Sequence, residues 1–114
     1  MLYCAASVSL CCVEVLVHTD ADLVPDNFVW SWAQLPADPE EFEAIWNIDN
    51  LEQTRPFGKS WIDSRRSVAL RVPSAIVPRT LEDFNILLNP THDAYSEIEW
   101  HRGGRFAFDP RLFK

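Results

Sequence analysis

The chain has 114 residues, a net charge of −7 and 47% apolar against 24% charged residues, the composition of one globular domain rather than a disordered chain. The acidic balance argues against a nucleic-acid partner, because phosphate binding needs a basic field. Five Trp and seven Phe in so short a chain call for a heavily aromatic core or an aromatic-lined pocket.

In chain order, Ser7 followed by Val8 to His18 reads as a helix with Ser7 as its N-cap. Apart from a stripe of Ser7, Cys11, Glu14 and His18 it is apolar nearly all round, which predicts a buried helix. Glu14 is then a carboxylate at the interior, costing several kcal/mol unless it is paired. An arginine, a backbone hydrogen bond or a catalytic role would each account for it. The Val8–Val17 stretch is too short to span a membrane and lacks the flanks of a signal peptide, so no membrane contact and a cytoplasmic location are expected. Cys4, Cys11 and Cys12 have no metal-ligand spacing and read as reduced thiols; no metal is expected.

Phe28, Trp30 and Trp32 alternate with Val29, Ser31 and Ala33, the period of a strand that Leu35-Pro36 ends. Glu40, Glu41 and Glu43 near the start of Asp38 to Trp46, with Phe42, Ile45 and Trp46 on one side, predict a short helix. Asn47 to Arg55 reads as a loop and Phe57 to Ser64 as a further short helix. Val68, Leu70 and Val72 alternate in a strand halted by Pro73, and Ser74 to Val77 continues irregularly to Pro78. Phe84 to Leu88 is a second strand closed by Asn89-Pro90, and the N-P-T-H run through His92 reads as a structured turn. Ile98 and Trp100 suggest a third strand, with Gly103-Gly104 as the turn into Arg105 to Phe108. The order fits an α+β fold, a small mixed sheet flanked by helices, in one domain over residues 1–114.

Ser74 is presented at a strand end, where a turn role and a binding role are both open; no nucleophile elbow surrounds it. Arg65, Arg66, Arg71 and Arg79 cluster locally and leave room for a small anionic ligand.

Six motifs occur together in one order: Y-C-A-A-S-V-S-L-C-C-V-E-V-L-V-H from Tyr3, Leu35-Pro36, F-G-K-S-W from Phe57, S-V-A-L-R-V-P-S-A-I-V from Ser67, N-I-L-L-N-P-T-H from Asn85 and F-D-P-R-L from Phe108. In that order they resemble the RES-domain family over nearly the whole chain. The resemblance implies an ADP-ribosyltransferase-like fold and the toxin of a toxin–antitoxin pair. It implies NAD as substrate, consumed by phosphorolysis or hydrolysis of the nicotinamide–ribose bond or used to transfer ADP-ribose, with no bound cofactor. The implied partner is an Xre-like helix-turn-helix antitoxin that covers the active site.

By the same resemblance Glu14 is the catalytic carboxylate. Ser74 is the substrate-binding serine, with Ser67 as the fallback, and Tyr3 the aromatic lining the nicotinamide side. In the family a segment carrying a G-R-W-like motif precedes the tyrosine, and its Arg grips the pyrophosphate. Here the chain opens at Met1-Leu2-Tyr3, so that segment and one or two strands are expected to be missing. A truncated, catalytically inactive remnant that only binds the antitoxin is the alternative expectation.

Overall fold

Ser7 caps the first helix as its sequence requires: its backbone is extended and its Oγ accepts from the Leu10 amide at 3.1 Å. The helix, α1, runs Val8–Val17 and ends at His18, whose amide donates to the carbonyls of Val15 and Leu16. A short strand, β1 (Leu2–Ala5), leads into it. In the computed structural model, residues 1–41, 51–74 and 83–113 are described.

The first sheet contains β1, β3 (Glu40–Glu41), β4 (Ala69–Pro73) and β5 (Phe84–Leu88) in the order β1-β5-β4-β3. β5 pairs antiparallel with both β1 and β4, while β3 pairs parallel with β4, so the sheet is mixed. Alternation divides its side chains between two faces. On one, Leu70, Val72 and Leu87 pack with Trp61 of α2 (Leu51–Ser64), supported by Phe57 and Ile62. On the other, Ala69 and Leu88 pack with Val68 and Ile98 against Cys4, Ile86, Ala33 and Leu35. Each fully buried side chain such as Leu70 or Leu88 contributes about 1.5–3 kcal/mol.

The second sheet pairs β2 (Phe28–Gln34) antiparallel with β6 (Glu99–Phe106). Here the structure corrects the expected Gly103-Gly104 turn: β6 runs through both glycines, and the register slips by one between Trp30 and Ser31. Both glycines are needed for that bulge. A Cβ at Gly103 would fall 2.3 Å from the Trp30 indole, and Gly104 has φ +154°. Together the two sheets and the helices make the α+β fold.

Three other expectations change. The helix foreseen over Asp38 to Trp46 is, at Glu40–Glu41, a strand paired to Leu70 and Arg71; residues 42–50 lie outside the described set. Tertiary partners decide the matter, because the Glu40 side chain is held by Trp61, Arg66 and Ser67. The helix expected from Phe57 begins at Leu51: good helix formers precede Pro56, which removes one donor near the start. Finally α1 is not a buried helix. Only Leu10 is buried in it, and Val8 and Val17 are exposed. Several of its other side chains line a shallow groove against Phe28, Trp30, Phe106 and Phe108. Trp30, Trp32 and Trp100 are likewise exposed, since an open two-stranded sheet cannot bury both faces. Ala75 to Pro78 and Arg79 lie outside the described residues.

Candidate functional site

Pro73 ends β4 with no amide to give to the ladder, and the next residue, Ser74, is wholly buried. On the neighbouring strand Asn85 stands opposite Val72 on one side and Ala5 of β1 on the other. From α1, Glu14 reaches this end of the sheet. Ser74 Oγ donates to Glu14 Oε1 at 3.0 Å, and Asn85 Nδ2 donates to the same oxygen at 2.9 Å. Two donors on adjacent strands thus converge on one carboxylate oxygen. Such bonds to a charged acceptor are the stronger kind of hydrogen bond.

Tyr3 lies on β1 opposite Leu87, two positions along β5 from Asn85. Alternation sets it on the same face of the sheet, roughly 7 Å along the strand from Ala5. It is 71% exposed, which leaves its ring open to a ligand. Glu14, Ser74 and Asn85 therefore form one cluster, a carboxylate held by two donors, and Tyr3 is exposed on the same face of the sheet. Chemically, a carboxylate held in this way can stabilise a developing positive charge.

Ser67 is placed elsewhere. It precedes β4, whereas Ser74 follows it, a separation of roughly 20 Å along an extended chain. Its Oγ donates to Glu40 Oε2 at 2.6 Å and accepts from Trp61 Nε1 at 2.9 Å. Trp61 Nε1 also reaches Glu40 Oε2 at 3.1 Å, and Arg66 pairs with Glu40 Oε1 at 3.1 Å. Burial pushes the Glu40 carboxyl up, but the bonds from Ser67, Arg66 and Trp61 outweigh it and hold it below its ordinary value.

The remaining sequence candidates are structural. Asn89 is wholly buried, donates to the Ile62 carbonyl at 3.2 Å, and accepts from the Thr91 amide and hydroxyl at 3.0 and 2.7 Å. His92 Nδ1 accepts from the Ala94 amide at 3.0 Å, which starts a 3-10 turn over Asp93–Glu97. His18 caps α1. Arg71 lies with its guanidinium 3.6 Å above the Phe84 ring and 3.7 Å from Glu41. Cys4, Cys11 and Cys12 are free thiols, and burial pushes those of Cys4 and Cys12 up. Among the described residues no cluster of His, Cys, Asp or Glu could hold a metal ion, and no helix is long and apolar enough to cross a membrane.

Asn85 is linked to Glu14 by nothing in the spacing of the sequence. Its signal is a lone amide inside the apolar run Phe84 to Leu88, a position where a polar side chain needs a partner.

The model of the RES domain matches residues 1–109 of the chain. Three known proteins align over nearly its whole length. The "Prs ADP-ribosylating toxin" of Sphingobium sp. (strain YBL2) is 29% identical over 124 residues, covering 100% of this chain and 75% of that protein. The "Toxin Res" of Yersinia enterocolitica is 32% identical over 119 residues, covering 97% of this chain and 76% of that one. The "Toxin Res" of Photorhabdus laumondii is 36% identical over 125 residues, covering 99% and 76% respectively.

Proposed function

The chain belongs to the RES domain family, and from that premise we propose that it is a toxin that splits the nicotinamide–ribose bond of NAD. The observation that carries the reading is the convergence of Ser74 and Asn85 on Glu14 Oε1. The names of the relatives described above, "Toxin Res" and "Prs ADP-ribosylating toxin", support the toxin class.

In the proposed step the bond from the ribose anomeric carbon to the nicotinamide nitrogen breaks. Its electron pair leaves with nicotinamide, which departs neutral. The ribose carbon gathers positive charge, and the Glu14 carboxylate lowers the energy of that oxocarbenium-like state. An oxygen of phosphate, water or a protein side chain then forms the new bond; with water or a neutral side chain, a proton is released. Tyr3 offers the face on which nicotinamide stacks. Ser74 is the substrate-binding serine of this reading, and its hydroxyl donates to Glu14 Oε1, the carboxylate at the centre of the site. In this reading NAD is substrate rather than bound cofactor, and an Xre-like helix-turn-helix antitoxin seats over the Glu14 region.

The test is to incubate the purified chain with NAD, with and without phosphate or a protein acceptor, and to follow nicotinamide release. Phosphorylated ADP-ribose, free ADP-ribose and protein-bound ADP-ribose identify the acceptor. Glu14→Gln keeps the shape and removes the charge, so turnover should fall by at least a hundredfold with an unchanged melting curve. Unchanged turnover in that variant refutes the role given to Glu14.

A further inference from the structure

We infer that Asn85 is a positioning residue for the reaction: with Ser74 it holds Glu14 by Oε1, so that Oε2 is the oxygen turned to the substrate. This rests on the NAD-cleaving reading of the same site.

A glutamate on a helix has three side-chain torsions, and one hydrogen bond leaves its carboxylate free to pivot about the bonded oxygen. A second donor to that oxygen from another direction restricts the pivot. Here the donors come from different strands, Ser74 just past β4 and Asn85 within β5. Both backbones are anchored: Asn85 is registered between Ala5 and Val72, and Pro73 against Phe84. The carboxylate is therefore referenced to the sheet rather than to the outer surface of α1. Among the described residues Oε2 accepts no hydrogen bond, so the two oxygens are not equivalent. One is structural, the other free to face a reacting sugar.

The competing role for Asn85 is plain satisfaction of a half-buried acid, which would affect stability and nothing else. A direct contact with NAD is a third possibility, and it would appear in KM. Positioning predicts a loss in kcat alone, because a misplaced carboxylate weakens the transition state while the dinucleotide still binds.

Two variants separate these. Asn85→Ala deletes the donor, and Asn85→Asp keeps the shape while replacing the donor by an acceptor. In both, kcat for NAD loss should fall by roughly tenfold to a hundredfold with KM within about twofold. A second measurement needs no turnover. With glutamate labelled at the side-chain carboxyl carbon, the Glu14 resonance, assigned by its loss in Glu14→Gln, should be single in the parent protein. It should shift or broaden in Asn85→Ala. Unchanged kcat in both variants overturns the inference, as does a raised KM at constant kcat or an unmoved Glu14 resonance. If the parent protein consumes no NAD, the NAD reading fails, and the resonance alone then decides whether Asn85 fixes the carboxylate.

Discussion

Replacing Ser67 by alanine should loosen the end of the sheet remote from Glu14. The hydroxyl makes two bonds, donating to Glu40 Oε2 at 2.6 Å and accepting from Trp61 Nε1 at 2.9 Å. Its loss does not orphan the indole, which still reaches Glu40 Oε2 at 3.1 Å. What disappears is one charge-assisted bond, worth about 1.5–3 kcal/mol when shielded from water. The Glu40 side chain is 30% exposed, so solvent screening reduces this to about 1–1.5 kcal/mol. For a domain of this length that is a fall of about 4–6 °C in Tm at neutral pH.

The same bond sets a pH signature. The Glu40 carboxyl is held below its ordinary value of 4.5, so its contribution is fully present above that value and is lost as pH falls through the lower folded one. Thermal unfolding followed by circular dichroism should therefore show the largest gap between parent and Ser67→Ala above pH 5. The gap should narrow toward pH 3. NAD turnover below the melting range should be retained. An unchanged Tm at neutral pH, or a gap independent of pH, refutes the reasoning. A large rise in KM for NAD at unchanged stability would instead place Ser67 against substrate.

Two further substitutions test the backbone. Gly103→Ala sets a methyl 2.3 Å from the Trp30 ring, which must shift; the expected loss is about 1–3 kcal/mol, read as a lower Tm and altered near-UV dichroism, and an unaltered melt would show that Trp30 yields freely. Arg65 sits at φ 54° just past the end of α2, a conformation that glycine adopts without strain. Arg65→Gly should accordingly raise Tm by about 2–5 °C, and a lowered Tm would mean that the arginine side chain makes a contribution its geometry does not reveal.

The parts of the fold written in local pattern were legible. Ser7 announced α1, and alternation in Val68 to Val72 and in Phe84 to Leu88 announced β4 and β5. Parts fixed by distant partners were not. Glu40 and Glu41 look like the first turn of a helix until the Trp61–Ser67–Arg66 cluster draws Glu40 into a strand. Gly103-Gly104 looks like a turn, because nothing near it in sequence tells that Trp30 lies across Gly103. β1 is four residues long, too short to display a period. For the site, Glu14 and Ser74 are 60 residues apart, so only the order of family motifs could pair them. Asn85, 71 residues from Glu14, stayed hidden inside an apolar strand for the same reason.

The strand order has a consequence for when the Glu14 cluster can form. β5 is among the later strands to leave the ribosome, yet it lies between β1 and β4. Until it inserts, the helix that follows β1 and the serine that follows β4 have no strand between them, and only the Ser74–Glu14 bond could join them. A chain ended before β5 would lack both the bridge between β1 and β4 and one of the two donors to Glu14. Such non-local pairing is slow to form. Closure of the Glu14 cluster therefore waits on a pairing between segments far apart in the chain.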